Sequence, residues 1–166
     1  MIEAQQLQFK DLVREDLILS DVEFADREAA LTRMATILVD KGFCKKPFVQ
    51  AILERERSHP SALPMPGHKI AIPHTDATYV NTSALVFAQL KKPVEFQSMG
   101  DPNETLHVSM ISMFALKEKK QIGDLLETLI TVYQDDSVLE AISNAENSTA
   151  IFQILRDQVG RNDSRR

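Results

Sequence analysis

The sequence predicts an α/β fold: three layers, α/β/α, with a central mixed sheet of about five strands flanked by helices. Three observations support this class. Apolar residues recur at helical spacing at both ends of the chain, extended apolar runs fill the middle, and some runs are joined by connections too short for a parallel crossover. Helices on both sides of a strand-rich middle are typical of a sheet between two helical layers, and the short connections require at least one antiparallel strand.

Two helices are predicted in the N-terminal part. Asp26 is a suitable N-cap for "REAALTRMATILVDKG", where Gly42 supplies the stop. Pro47 suits the first turn of "PFVQAILERERS", which must end before Pro60. The next run, "HPSALPMPG", contains three prolines and a glycine and therefore predicts an irregular loop.

The middle of the chain supplies the predicted strands and the C-terminal third the remaining helices. The strands are "KIAI", "SALVFAQL", "VEFQ" and "TLHVSMISMFAL", with Lys91, Lys92 and Pro93 separating the second from the third. The helices are "KKQIGDLLETLITVYQ", "DDSVLEAIS" and "NSTAIFQILRDQV", the last two starting with a side-chain cap. We expect a single domain over residues 1–158 and a frayed tail over residues 159–166.

Composition and charge exclude several classes of protein. No apolar run approaches the roughly 18 residues of a membrane-spanning helix, so no direct membrane insertion is expected. The start "IEAQQLQFKD" lacks the features of an export signal, which makes the cytoplasm the expected location. A net charge of −5 argues against nucleic acid as a partner. Cys44, the single cysteine, excludes an internal disulfide and a cysteine-based zinc cluster.

The most specific stretch is "GHKIAIPHTD", residues 67–76. Pro73 fixes φ just ahead of His74, at a predicted strand end, and ligands usually meet α/β sheets at such ends. With an ordinary pKa of about 6.5, an imidazole is able to act as a base, a metal ligand or a nucleophile near neutral pH. Thr75 or Asp76 would set the tautomer of the ring or stabilise a bound oxyanion.

The segment "IAIPHTD", preceded by "AILERE" and "HPSAL", resembles the IIA components of the bacterial phosphoenolpyruvate-dependent sugar phosphotransferase system. The resemblance is to the fructose/mannitol family and is strongest to its galactitol-like branch. It extends from about Asp11 to Asp157 and is carried by Arg55-Glu56, by Pro60-Ser61-Ala62 and by the core from Ile70 to His74.

The resemblance implies a phosphocarrier, a protein-histidine phosphotransferase component. His74 would become a phosphohistidine by accepting a phosphoryl group from phospho-HPr, and would pass it to a IIB component during uptake of a sugar or sugar alcohol. Arg55 would offer the phosphate a planar fork of donors, and Ser61 and Thr75 would add hydroxyl donors. No cofactor and no metal are expected, because the sequence has no nucleotide-binding glycine pattern and no ligand set.

The sequence departs from the family at two places. Many relatives have Thr-Gly where this chain has Ser61-Ala62, which keeps a hydroxyl but removes a flexible backbone position. Several branches have a second histidine at the start of the helix after the last long strand. This chain has "KEKKQI" there, so any supporting role falls to Gln121, to Lys120 or to neither.

Three alternatives stay open. A regulatory IIA-like phosphoacceptor domain would use the same histidine to signal without feeding a transporter. A non-enzymatic α/β binding module would use His74 structurally. A zinc site of His59, His68 and His74 is disfavoured, because the spacings match no ligand pattern.

The other histidines are expected to have structural roles, and three apolar residues are expected at the partner surface. We expect His59 to pack against the loop, His68 to lie at the rim and His107 to be a satisfied sheet residue. We expect the surface that meets the protein partners to include Leu63, Met65 and Val80.

Overall fold

A computed structural model describes residues 7–163 of the chain as an α/β structure with four strands and five α-helices. The strands are β1 (Ile18–Val22), β2 (Ile70–Ala71), β3 (Ala84–Gln97) and β4 (Thr105–Ala115). The helices are α1 (Arg27–Asp40), α2 (Pro47–Ser58), α3 (Ile122–Tyr133), α4 (Asp136–Ser143) and α5 (Ser148–Asp163). Short 3-10 turns precede β1, follow β2 and precede α3.

The sheet is mixed, as the sequence predicts, with the strand order β1-β3-β4-β2. The two central strands β3 and β4 are antiparallel, and each outer strand is parallel to its neighbour. The described residues form four strands rather than about five, because "SALVFAQL" and "VEFQ" are parts of one strand. The exposed Lys91, Lys92 and Pro93 lie at a register shift between Gln89 and Val94, where a bulge interrupts the pairing without ending the strand.

Strand β1 is not among the predicted strands. It has only five residues, and the polar Ser20 and Asp21 break its apolar pattern. Asp21 has a φ of +51°, and the register with β3 shifts between Leu19 and Val22. A strand this short and irregular has no clear period of two in the sequence.

The predicted helices α1 and α2 are confirmed together with their end signals. The Asp26 side chain accepts a hydrogen bond from the Ala29 amide at 2.8 Å, and the helix ends before Gly42, whose φ is +84°. Pro47 occupies the first turn of α2.

The predicted fraying from residue 159 is wrong for residues 159–163, which continue α5. Val159 is buried, and the Asp163 carboxylate accepts hydrogen bonds from the amides of Phe9 and Lys10 at 2.9 and 2.8 Å. These contacts fix the end of α5 to the first 3-10 turn, which sequence periodicity does not reveal. Residues 164–166 of the predicted tail lie outside the described part of the chain.

The core has two halves, one on each face of the sheet, which confirms the three-layer architecture. One apolar cluster packs α1 and α2 against one face, and the other packs α3, α4 and α5 against the opposite face. Alternate apolar residues of β3 from Ala84 to Ala88, and of β4 from Met110 to Ala115, belong to different clusters, so these parts of the two strands are buried on both sides. Beyond the bulge one face of both strands is exposed. Between residues 7 and 163, no helix is both long and apolar enough to cross a membrane.

Candidate functional site

His74 lies where the chain leaves the sheet beside the end of β4. Strand β2 is only two residues long, but the Pro73 carbonyl still accepts a hydrogen bond from the Phe114 amide at 3.2 Å. The His74 ring is partly exposed and stacks on the buried Phe114 ring, with 4.6 Å between ring centroids and 14° between ring planes. The stacking fixes the plane of the imidazole.

The Ile72 carbonyl determines the tautomer of His74. His74 Nδ1 lies 3.0 Å from the Ile72 oxygen. Because a carbonyl oxygen only accepts, Nδ1 carries the hydrogen in this contact, and the neutral ring has its lone pair on Nε2. The hypothesis that Thr75 or Asp76 sets the tautomer is therefore wrong. The Asp76 carboxylate instead accepts from the Thr78 amide at 3.2 Å and caps a 3-10 turn.

Burial and nearby positive charge keep the His74 ring neutral. Burial lowers the pKa of His74, because it penalises the charged form. The hydrogen bond to Ile72 acts in the opposite direction, and the charges of Arg55 and His59 lower the pKa further. The net pKa lies below the ordinary value, so the ring near pH 7 is an uncharged nucleophile.

Arg55 is an exposed cation in the last turn of α2, and its charge reaches both His74 and Glu56. Its guanidinium forms no salt bridge or hydrogen bond with any residue from 7 to 163 that the structure describes. By contrast, the neighbouring Arg57 binds Glu28 at 3.1 Å. Arg55 therefore has donors available for an incoming anion.

Ser61 and Glu56 form a buried pair. The Ser61 hydroxyl donates to Glu56 Oε1 at 2.6 Å, and the Ser61 amide donates to Glu56 Oε2 at 2.7 Å. Both residues are 3% exposed. Ser61 was expected to offer its hydroxyl to a phosphate, but the structure gives that hydroxyl a partner inside the protein.

Burial raises the pKa of Glu56 from its ordinary value of 4.5 to about 7. The two hydrogen bonds from Ser61 and the charges of Arg27 and Arg55 act in the opposite direction and limit the rise. Glu56 is thus a buried carboxyl group that titrates near neutral pH.

The remaining predicted site residues, Thr75 and Gln121, make no hydrogen bond to His74. Thr75 is buried, and its hydroxyl makes no hydrogen bond with a described residue. Gln121 is partly exposed at the start of α3, and its side chain does not cap that helix. Leu63 and Val80 belong to the core, so of the three apolar residues expected at the partner surface only Met65 is partly exposed.

The other histidines are all engaged by neighbouring polar groups. His59 is exposed rather than packed, with Nδ1 2.9 Å from the Ser58 hydroxyl, and its charge reaches His74. His68 binds Glu140 of α4, and His107 faces Glu95 across β3 and β4 at 3.3 Å. Within residues 7–163, no group of three His, Cys, Asp or Glu side chains could hold a metal ion.

Four features of the site escaped the sequence analysis: the Phe114 ring, the Ile72 carbonyl, the Glu56 carboxyl group and the charge of His59. The Phe114 contact depends on which strands pair, since Phe114 is 40 positions from His74 in the chain. Glu56 carries the family resemblance together with Arg55, but its burial was not predicted, because an "ERER" run is typical of a solvated helix face.

Comparisons with known proteins agree with this fold. The family model "Phosphoenolpyruvate-dependent sugar phosphotransferase system, EIIA 2" matches residues 11–158. The galactitol-specific EIIA component of Escherichia coli K12 is 28% identical over 125 residues, which cover 75% of this chain and 83% of that protein. The transcriptional regulator ManR of Bacillus subtilis is 31% identical over 105 residues, which cover 63% of this chain and 15% of the regulator.

One chain of a solved complex of enzyme IIAMTL with phosphorylated enzyme IIBMTL from Escherichia coli has the same fold as this chain. Its matched chain has a TM-score of 0.72 and 23% identity, covering 86% of this chain and 95% of that chain. The chain described here belongs to the EIIA 2 family of the phosphoenolpyruvate-dependent sugar phosphotransferase system.

The raised pKa of Glu56 predicts a specific pH dependence of stability. Since the folded carboxyl group binds its proton more tightly than the unfolded one, its ionisation lowers the free energy of unfolding as the pH rises from 4.5 to about 7. The difference between the pKa values of 4.5 and about 7 corresponds to about 3 kcal/mol in the free energy of unfolding. Glu56→Gln, which cannot ionise, should therefore gain stability relative to the original protein between about pH 5 and about pH 8.

Denaturant unfolding of Glu56→Gln and of the original protein at about pH 5 and about pH 8 measures this gain in stability. Because both proteins contain His74, its contribution cancels in the comparison. The exposed Glu54, in the same helix, provides the control Glu54→Gln. A stability difference between Glu56→Gln and the original protein that is the same at both pH values would contradict the assignment.

Proposed function

We propose that this protein is a phosphocarrier of a sugar phosphotransferase system, formed by a single domain, in which His74 accepts a phosphoryl group from phospho-HPr and passes it to a IIB component. The observation that carries the proposal is a partly exposed, neutral His74 ring whose hydrogen bond to the described residues is made through Nδ1 alone. Membership in the EIIA 2 family supports the direction of transfer.

The geometry supports attack by His74 Nε2. Its lone pair forms the new N–P bond while the N–P bond of the donor phosphohistidine breaks and the donor ring takes back its electron pair. In the second step a nucleophile of the IIB component, which the resemblance indicates is a cysteine thiolate, attacks the phosphorus. The electron pair of the Nε2–P bond then returns to His74. The ring gains positive character when phosphorylated, and the Ile72 carbonyl stabilises it through Nδ1–H.

Charge on the transferred phosphoryl group is spread over three equatorial oxygens, so fixed donors around it supply most of the catalysis. Arg55 is the cation available for this role, since it is exposed and its charge reaches His74. The Thr75 hydroxyl is a further candidate donor beside the ring, and Gln121 is a candidate from the start of α3. Ser61 contributes to the site through its contact with Glu56.

The partners and the location follow from this role. HPr and a IIB component are proteins that must bring a reactive atom to His74, and the solved complex of IIAMTL with phosphorylated IIBMTL is one example of a similar chain meeting such a partner. We propose a cytoplasmic location and transport of a galactitol-like sugar alcohol, the latter supported by the likeness to the galactitol-specific component.

Phosphorylation of the purified protein tests the proposal. Incubation with phosphoenolpyruvate, enzyme I and HPr should give one acid-labile, base-stable phosphoryl group per chain, which a matching IIB component then removes. His74→Ala should abolish labelling, while His107→Ala should not, because His107 is an exposed residue paired with Glu95. Labelling that persists in His74→Ala, or none in the original protein, would refute the phosphocarrier assignment.

The role of Arg55 is tested by a matched pair of substitutions in the last turn of α2. Arg55→Gln should slow phosphoryl transfer to His74 roughly tenfold or more, because the transition state loses a charged donor. Arg57→Gln should leave the rate near that of the original protein, because Arg57 is bound to Glu28. Rapid-quench measurement of the phosphorylation rate separates the two outcomes, and equal rates in both variants would remove Arg55 from the site.

A regulatory function is the second candidate, supported by the 31% identity with a stretch of the transcriptional regulator ManR. It shares the first transfer step and differs in the second. A phosphorylated protein that passes its phosphoryl group to no IIB component of its own organism would favour this candidate.

A further inference from the structure

Glu56 is a buried carboxyl group directly beside the exposed Arg55. It is 3% exposed, and it lies in the last turn of α2, where the chain turns toward the loop that precedes the His74 segment. A buried carboxyl group is costly unless its oxygens are hydrogen-bonded. No salt bridge to a cation of the described residues satisfies it, so its stabilisation must come from hydrogen bonds.

Both Glu56 oxygens are satisfied by a single residue, Ser61. The 2.7 Å bond comes from the Ser61 amide and the 2.6 Å bond from its hydroxyl, so the carboxyl group fixes the backbone and the side chain of Ser61 together. Two short bonds to one residue leave that residue little freedom to rotate. The second residue of the loop is held as well, because the Met99 amide donates to the Ala62 carbonyl at 2.7 Å.

Ser61 in turn holds the segment that carries the nucleophile. The Ser61 carbonyl accepts a hydrogen bond from the Ile72 amide at 3.0 Å, and the Ile72 carbonyl accepts from His74 Nδ1 at 3.0 Å. An unbroken series of hydrogen bonds thus runs from Glu56 through Ser61 and Ile72 to the imidazole. The bond from the Leu63 amide to the Ile70 carbonyl, at 2.9 Å, lies beside it and keeps the loop antiparallel to β2.

We propose that Glu56 is a positioning residue for the phosphoacceptor ring: it fixes Ser61, Ser61 fixes the Ile72 peptide, and that peptide holds His74 with Nδ1 protonated and the lone pair on Nε2. The inference rests on the proposed function, in which Nε2 is the nucleophile. If Ser61 moves, the Ile72 carbonyl no longer selects one tautomer. Neutral His74 then also takes the form with hydrogen on Nε2, which has no lone pair at the attacking nitrogen.

The test uses ¹⁵N imidazole resonances of His74 in the full-length protein, at a pH well above the titration of the ring. In the original protein the tautomer with hydrogen on Nδ1 should predominate. In Glu56→Ala the other tautomer should appear, and phosphorylation by phospho-HPr should slow about tenfold to a hundredfold in kcat, with little change in KM, because alignment rather than donor binding is lost.

Three further variants control this measurement. Glu54→Ala, an exposed residue of the same helix, should match the original protein in tautomer and rate. Glu56→Gln should restore most of the original behaviour, because its amide oxygen still accepts from the Ser61 amide. If Glu56→Ala does not fold, Glu56→Asp decides, since its shorter side chain loses alignment with Ser61 and should shift both readouts in the same direction by less.

A folded Glu56→Ala or Glu56→Asp protein with the tautomer ratio and the transfer rate of the original would overturn the inference. The resonances are measured without any phosphoryl transfer, so the two proposals fail separately. An original protein that is never phosphorylated refutes the phosphocarrier role, whereas a normally phosphorylated protein with an unaffected Glu56 variant refutes only the positioning role.

Discussion

The hydrogen bond between His74 Nδ1 and the Ile72 carbonyl is the contact on which the chemistry of this site depends. It is a short-range bond between residues two positions apart, and the intervening Pro73 accepts a hydrogen bond from the Phe114 amide of the neighbouring strand at 3.2 Å. This arrangement leaves the lone pair of the neutral ring on Nε2. The stacked Phe114 ring fixes the orientation of the imidazole that the carbonyl has selected.

Burial shifts the pKa values of the two titratable groups of the site in opposite directions. Desolvation lowers the pKa of His74, which favours the neutral ring near pH 7, and raises the pKa of Glu56 to about 7. The permanent positive charge of Arg55 lowers both pKa values, and its exposed guanidinium is accessible to an anion. A neutral nucleophile beside a fixed cation suits transfer of an anionic group.

Local sequence signals predicted much of this molecule. The helix limits at Asp26, Gly42 and Pro47, the α/β order and the placement of His74 after a short strand all follow from caps, prolines and periodicity. Features that depend on long-range pairing did not follow. Strand β3 runs through an exposed Lys-Lys-Pro bulge, and the end of α5 is fixed by contacts with residues more than 150 positions away. The buried Glu56–Ser61 pair was likewise hidden, because an "ERER" run in a helix is typical of a solvated face.

Locating the phosphorus on the ring of the phosphorylated protein tests the central claim most directly. With ¹⁵N-labelled histidine, the account predicts coupling of phosphorus to Nε2 of His74, while Nδ1 keeps its hydrogen and its bond to Ile72. Phosphorus bound to Nδ1 would contradict the account, because that nitrogen is committed to the backbone carbonyl and the tautomer that the fold selects would then be the unreactive one.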